Sequence, residues 1–145
     1  MRQLSGVIVG LVAISLWACL PFARSYIASP PIAGTYRAET GEPLGGVVLA
    51  VGGDSLCTTP RLLTTTDSVG AFSFPATMEH EAVTVLAPGD RVWGYTFCAR
   101  VAGTMRFVFK AETAVNEPFG RTTISLSCIE SRTPNTKPVV CTRQP

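Results

Sequence analysis

Residues 40–75 constrain this chain more than any other stretch. They read Thr40-Gly41-Glu42-Pro43-Leu44-Gly45-Gly46-Val47-Val48-Leu49-Ala50-Val51, a polar loop, then Leu62-Leu63-Thr64-Thr65-Thr66-Asp67-Ser68-Val69-Gly70-Ala71-Phe72-Ser73-Phe74-Pro75. Gly41 and Pro43 punctuate a strand-to-strand turn. The apolar, β-branched run 46–51 that follows predicts a strand buried in the middle of a sandwich. Residues 62–66 predict the next strand. Asp67-Ser68-Val69-Gly70 then predicts a tight turn, in which Asp67 bonds its own backbone two residues on and Gly70 takes the positive φ. In Ala71-Phe72-Ser73-Phe74 the two phenylalanines share one face, the period of a half-buried strand.

The remainder reads as further strands added to this unit. Residues 35–38 and 81–86 are strand candidates, the latter with Val83 and Val85 alternating against Thr84. Trp93, Tyr95, Phe97, Ala99 and Val101 fall on one face, with Thr96, Cys98 and Arg100 on the other. Across a turn at Gly103, Met105, Phe107 and Phe109 are expected to oppose Arg106, Val108 and Lys110. Thr122, Ile124, Leu126 and Cys128 share a face, and 139–141 form a last short strand. The aromatic stripe is expected to be core and not a ligand platform. Charged residues make up 15% of the chain, which also holds 13 glycines and 11 prolines, and both favour a turn-rich β protein over a helical one. The length suits one domain. Twelve Lys+Arg stand against ten Asp+Glu with no basic cluster, so nucleic acid is not an expected partner, nor is an anionic membrane surface.

The N-terminus reads as an export signal: Arg2, then an uncharged and mainly apolar run over residues 3–23, densest over 7–20. Within it, Leu16-Trp17-Ala18-Cys19 resembles the lipobox of bacterial lipoproteins. That resemblance implies cleavage before Cys19 and a lipid on its thiol, hence attachment to the membrane with the domain facing the periplasm. Leu20 following Cys19 resembles the signal for transfer to the outer membrane. Ordinary signal-peptidase cleavage fits less well, because no clear small-x-small pair sits just after the run, and an uncleaved anchor is a third reading, because the run is just long enough to span a bilayer. The expected organisation is a signal peptide over residues 1–18, a proline-containing tether over 19–32 (Pro21, Pro30, Pro31), and a folded domain over 33–145.

Five cysteines is an odd count for an exported protein. Acylation of Cys19 leaves Cys57, Cys98, Cys128 and Cys141, an even set able to form two disulfides in an oxidising compartment. Four reduced thiols is the alternative. Three connectivities are open. The one expected pairs Cys128 with Cys141 across a hairpin and Cys57 with Cys98, stapling the 52–60 loop to an outward strand position.

The motif Thr-Gly-x-Pro-Leu-x-Gly-Val followed by Thr-x-Asp-x-x-Gly-x-Phe-x-Phe resembles the carboxypeptidase regulatory-like domains, of the transthyretin-like kind. The matching positions are Thr40, Gly41, Pro43, Leu44, Gly46 and Val47, then Thr65, Asp67, Gly70, Phe72 and Phe74. The resemblance covers residues 33–88. It implies an all-β fold: a single Ig-like, transthyretin-like antiparallel β-sandwich of about seven to nine strands after the N-terminal signal segment. It carries no catalytic residues.

Direct inspection for chemistry leads the same way. His80 is the one histidine, and its neighbours Glu79 and Glu81 point to the opposite side of a strand, so the three do not converge on a metal or an acid–base pair. No G-x-S-x-G elbow, phosphate loop or zinc spacing is present, so no catalytic residue, metal ligand or cofactor is assigned. The hydroxyisourate hydrolases of the transthyretin-like fold use two histidines and a characteristic C-terminal tail, and neither is found here.

The function expected is a non-catalytic binding or assembly module of the cell envelope, with a protein partner. An inhibitor or immunity protein against a toxin or envelope hydrolase, and a small-ligand carrier, are the alternatives. Recognition is expected on the loops at residues 53–61 and 88–93, with Asp54, Arg61, Arg91, Trp93 and Tyr95 as candidate contacts.

Overall fold

The structure is a computed structural model, and it describes residues 22–52, 54, 56–83, 92–114, 117–131 and 137–145. Those residues form ten strands and no helix. Two four-stranded sheets pack face to face, in the orders β10-β9-β2-β5 and β4-β3-β7-β8, and β1 with β6 makes a separate two-stranded ribbon. The strands are β1 (Phe22–Ser29), β2 (Ile32–Ala38), β3 (Val48–Gly52), β4 (Pro60–Thr65), β5 (Ala71–Phe74), β6 (Thr77–Val83), β7 (Gly94–Val101), β8 (Thr104–Glu112), β9 (Ile124–Glu130) and β10 (Val139–Arg143). The all-β sandwich expected from the sequence is thus found, with one strand more than the upper expectation.

The core is built from the inward alternates of both sheets. Ile32, Tyr36, Phe72, Phe74, Leu126, Cys128 and Val139 meet Leu49, Val51, Tyr95, Phe97 and Ala99. Phe97 sits at the centre, its ring 5.8 Å from Phe72, 6.0 Å from Phe74 and stacked at 5.3 Å on Phe109. The stripe 95–101 is therefore interior, as its alternation predicts. The two turn motifs of residues 40–75 are joined by one side chain, that of buried Thr66. Its hydroxyl accepts from Val47 N at 2.9 Å and donates to the Leu44 carbonyl at 2.7 Å, tying the end of β4 to the entry of β3. Asp67 Oδ1 accepts from Val69 N and Ala71 N, and Gly70 has φ +74, so the expected tight turn is present. A Cβ at Gly70 would lie 2.4 Å from the Tyr36 carbonyl oxygen, which leaves glycine the only residue that fits.

Four expectations are corrected. Residues 22–29, assigned to a tether, form β1 and pair antiparallel with β6, with Tyr26 opposite Glu79 and Ser25 opposite His80. Pro30 and Pro31 join β1 to β2 rather than marking a spacer, Pro21 lies outside the described residues, and Ile32 is fully buried at the head of β2. Strand β6 begins at Thr77, earlier than expected, and residues 84–91 lie outside the described residues. Strand β2 pairs antiparallel with β5 but parallel with β9. The cause is connectivity: β8 ends beside the start of β7, at the same end of the sandwich where Ile32 opens β2, and Ile124 opens β9 at that end too.

The last correction concerns β8, where Met105, Phe107 and Phe109 do not share a face. The register slips so that Phe97 faces Phe109 while Cys98 faces Phe107, leaving Val108 as an extra residue, a β-bulge. Val108 and Phe109 both pack on the core, Phe107 is left 48% exposed, and Met105 packs on the outer side against Cys57 and Cys98.

Candidate functional site

The loop joining β3 to β4 is fixed from two directions. Cys57, at φ +58, is bonded to Cys98, which lies on the outward face of β7 as expected. The small apolar cluster of Ala50, Cys57, Cys98 and Met105 seals that bond under the loop. The second fixing is Asp54. Its carboxylate accepts hydrogen bonds from Thr58 N at 3.2 Å and Thr58 Oγ1 at 2.5 Å, and from Thr59 N at 3.1 Å and Thr59 Oγ1 at 2.7 Å. Those donors, Thr58 first and Thr59 second, hold the Asp54 carboxyl below its ordinary pKa. The Asp54 carboxylate, expected as a partner contact, also holds its own loop through hydrogen bonds made at the exposed surface. Among the described loop residues Leu56 is a large apolar side chain standing 76% exposed.

Arg61, at the exit of this loop, pairs with Glu79 on β6, both groups being partly exposed. Glu79 also accepts from the Tyr26 hydroxyl at 2.8 Å, and the Tyr26 ring lies 5.4 Å from that of Trp93 at 58°. Arg61, Glu79, Tyr26 and Trp93 thus form one polar–aromatic seam where the ribbon meets the sandwich. The structure links Arg61 and Trp93 through Tyr26, which is not among the residues marked from sequence, and through Glu79, marked only as a neighbour of His80. The signal for Tyr26 was present: Arg24, Tyr26 and Ala28 alternate with Ser25 and Ile27 between flanking prolines.

Tyr95 is 2% exposed, with Phe119 at 5.3 Å and Phe109 at 6.1 Å, so it is a core residue and presents nothing to a partner. Burial pushes its phenol pKa up, opposed by the charge of Arg143. Cys19 and Arg91 lie outside the described residues. His80 Nδ1 lies 2.8 Å from Ser25 Oγ on the side of the ribbon away from Glu79, which is the divergence that strand geometry requires. Cys128 and Cys141 are directly opposite in the β9–β10 register and bonded, so both expected disulfides are found.

At the far end of the sandwich a cleft of about 230 Å³ is lined by Ala38, Glu39, Thr40, Glu42, Leu44 and Glu130. Two of its three carboxylates are engaged: Glu130 accepts from the Tyr36 hydroxyl at 2.9 Å and Glu39 from Ser131 at 2.9 Å. Burial, with the Glu130 hydrogen bond second, raises the Tyr36 pKa strongly. Among the described residues no group of His, Cys, Asp or Glu is placed to hold a metal ion. No family model matches the chain, and no curated protein sequence matches it.

Proposed function

We propose that this protein is an envelope lipoprotein, anchored through Cys19 with its domain facing the periplasm, and that its β-sandwich is a non-catalytic module that binds a protein partner. The reading places it in the outer membrane and treats the domain as a relative of the carboxypeptidase regulatory-like sandwiches. One observation carries the binding role. The described part of the 52–60 loop is held by a disulfide and by four hydrogen bonds to one carboxylate while a large apolar side chain, Leu56, stands 76% exposed on it. A loop ordered before contact loses little conformational entropy on binding, and this is the condition under which a small exposed surface gives useful affinity. Leu56 is the anchor, with the exposed Thr58 and Thr59 following it in the loop.

The same observation favours a second reading: a rigid loop led by one exposed leucine also suits an inhibitor that plugs an apolar pocket of a toxin or envelope hydrolase.

Two experiments test the proposal. Metabolic labelling with palmitate should mark the wild-type chain and leave Cys19→Ser unlabelled. A photo-crosslinking residue at Leu56 should capture a defined protein in intact cells, and the same probe at Val69, on the opposite end, should not. Capture of an envelope hydrolase selects the second reading. An unlabelled wild type removes the lipid anchor, and no adduct at Leu56 removes the binding role of the loop.

A further inference from the structure

The N-terminal strand changes what membrane attachment does to the domain. An expected tether of residues 19–32 would let the sandwich diffuse freely above the bilayer. Instead β1 begins at Phe22, so only Leu20 and Pro21 separate Cys19 from folded structure. Three residue steps span about 10 Å even when fully extended. An uncleaved anchor over residues 3–23 leaves no more slack, because that run overlaps the start of β1. Under either form of attachment the Phe22 end of the ribbon is held at the lipid headgroups.

The ribbon itself is two-sided. Tyr26 and Glu79 point toward the sandwich, where they meet Trp93 and Arg61. The other side carries Ala23, Ser25, Ile27, Met78 and His80, with Ser25 and His80 hydrogen-bonded to each other and Met78 54% exposed. It holds no Asp, Glu, Lys or Arg among the described side chains. A two-stranded ribbon is marginal by itself, and one with an uncharged, partly apolar free side gains from a surface to rest on.

We infer that the β1–β6 ribbon is a membrane-resting element, its Ala23/Ser25/Ile27/Met78/His80 side lying on the lipid headgroups. This holds the sandwich in a fixed orientation, with the turns at 39–46, 67–70 and 102–103 pointing away from the bilayer. The inference rests on the proposed membrane attachment. The partner is the lipid surface, and its recognition is through short tethering and an uncharged face, not through basic residues.

The test uses the full chain, purified from bacterial membranes and reconstituted in phosphatidylcholine vesicles containing a headgroup nitroxide lipid. Single-tryptophan reporters are made in a Trp17→Phe/Trp93→Phe background: Met78→Trp and, as a second reporter on the same side, His80→Trp. Val69→Trp reports the opposite end. Vesicle-bound Met78→Trp and His80→Trp should each lose about half their emission, because a ribbon resting on the headgroups keeps both positions within roughly 10 Å of them, whereas a ribbon standing on its Phe22 end would carry position 78, opposite Ile27, about 26 Å away. Val69→Trp should be unaffected. Equal quenching at all three positions in protein that floats with the vesicles overturns the inference and leaves the anchor standing. A chain that fails to float refutes the membrane attachment itself, and the inference with it.

Discussion

Removing the Cys57–Cys98 bond is the perturbation whose magnitude follows most directly from the structure. The bond joins residues 41 apart, whereas Cys128–Cys141 joins residues 13 apart. In the chain-entropy account the longer loop restricts the unfolded chain by about 4 kcal/mol and the shorter by about 3 kcal/mol at 25 °C. The folded state should change little in the double variant Cys57→Ala/Cys98→Ala. Position 98 is buried among Ala50 and Met105, which accept an alanine, and the Asp54 clamp still holds the loop. The expected result is a loss of about 4 kcal/mol in unfolding free energy, a large part of the 5–15 kcal/mol typical of a domain. At this size that corresponds to roughly 15 °C in Tm. Urea titration followed by far-UV circular dichroism measures the loss, and the m-value should rise because the uncrosslinked chain exposes more surface when unfolded. A loss below about 1 kcal/mol, or one smaller than that of the Cys128→Ala/Cys141→Ala pair, would refute the entropic reasoning.

Three further outcomes are expected. Gly70→Ala combines a φ of +74 with a Cβ placed 2.4 Å from the Tyr36 carbonyl oxygen, so it should cost about 2 kcal/mol or more in thermal unfolding; an unchanged Tm contradicts the turn geometry. Tyr36 is held protonated above its ordinary pKa, so its contribution is complete below pH about 10 and is lost as the pH rises beyond that. Tyr36→Phe should therefore flatten the alkaline fall in stability while costing about 1 kcal/mol at neutral pH through the lost Glu130 hydrogen bond, as denaturant titration across pH will show. Asp54 has a lowered pKa, so its stabilisation of the loop is complete above the ordinary carboxylate range and is lost as the pH falls through the depressed value. Carbon-detected NMR titration should give Asp54 a midpoint below that of an unstructured aspartate, and an ordinary midpoint removes the clamp.

What the residues made legible is what is local. The alternation of Phe72 and Phe74, and of Tyr95, Phe97 and Ala99, is a property of adjacent side chains, and the sandwich uses it directly. The Asp67–Gly70 turn closes on its own atoms. The failures in the strand assignments are all non-local. Strand β1 exists because of a partner more than fifty residues onward, and its bracketing prolines look like a spacer when viewed alone. The bulge at Val108 leaves the sequence alternation of β8 unbroken, so only the pairing with β7 reveals that Phe107 and Phe109 part company. The parallel β2–β9 pairing depends on where a distant connection lands.

The same division runs through the candidate site. The loop with Asp54, Cys57 and Arg61 could be marked from its composition, and cysteine counting favoured the disulfide that holds it. That Asp54 bonds Thr58 and Thr59 while Leu56 stands exposed is decided by loop conformation. Tyr95 was marked as a contact for being aromatic and near a loop, yet the second sheet and Phe119 cover it. The roles of Tyr26 and Glu79 are not legible in the sequence because they lie in a meeting of β1, β6 and the ends of β4 and β7.

The account turns on whether the residues just after the N-terminal apolar run are folded or free. Hydrogen–deuterium exchange of the full chain, followed in a peptide covering residues 22–29, answers this directly. Protection close to that of its partner, residues 77–83, is the predicted result. Complete exchange at the earliest time point, as in an unstructured leader, would contradict the ribbon and with it the short leash between membrane and sandwich.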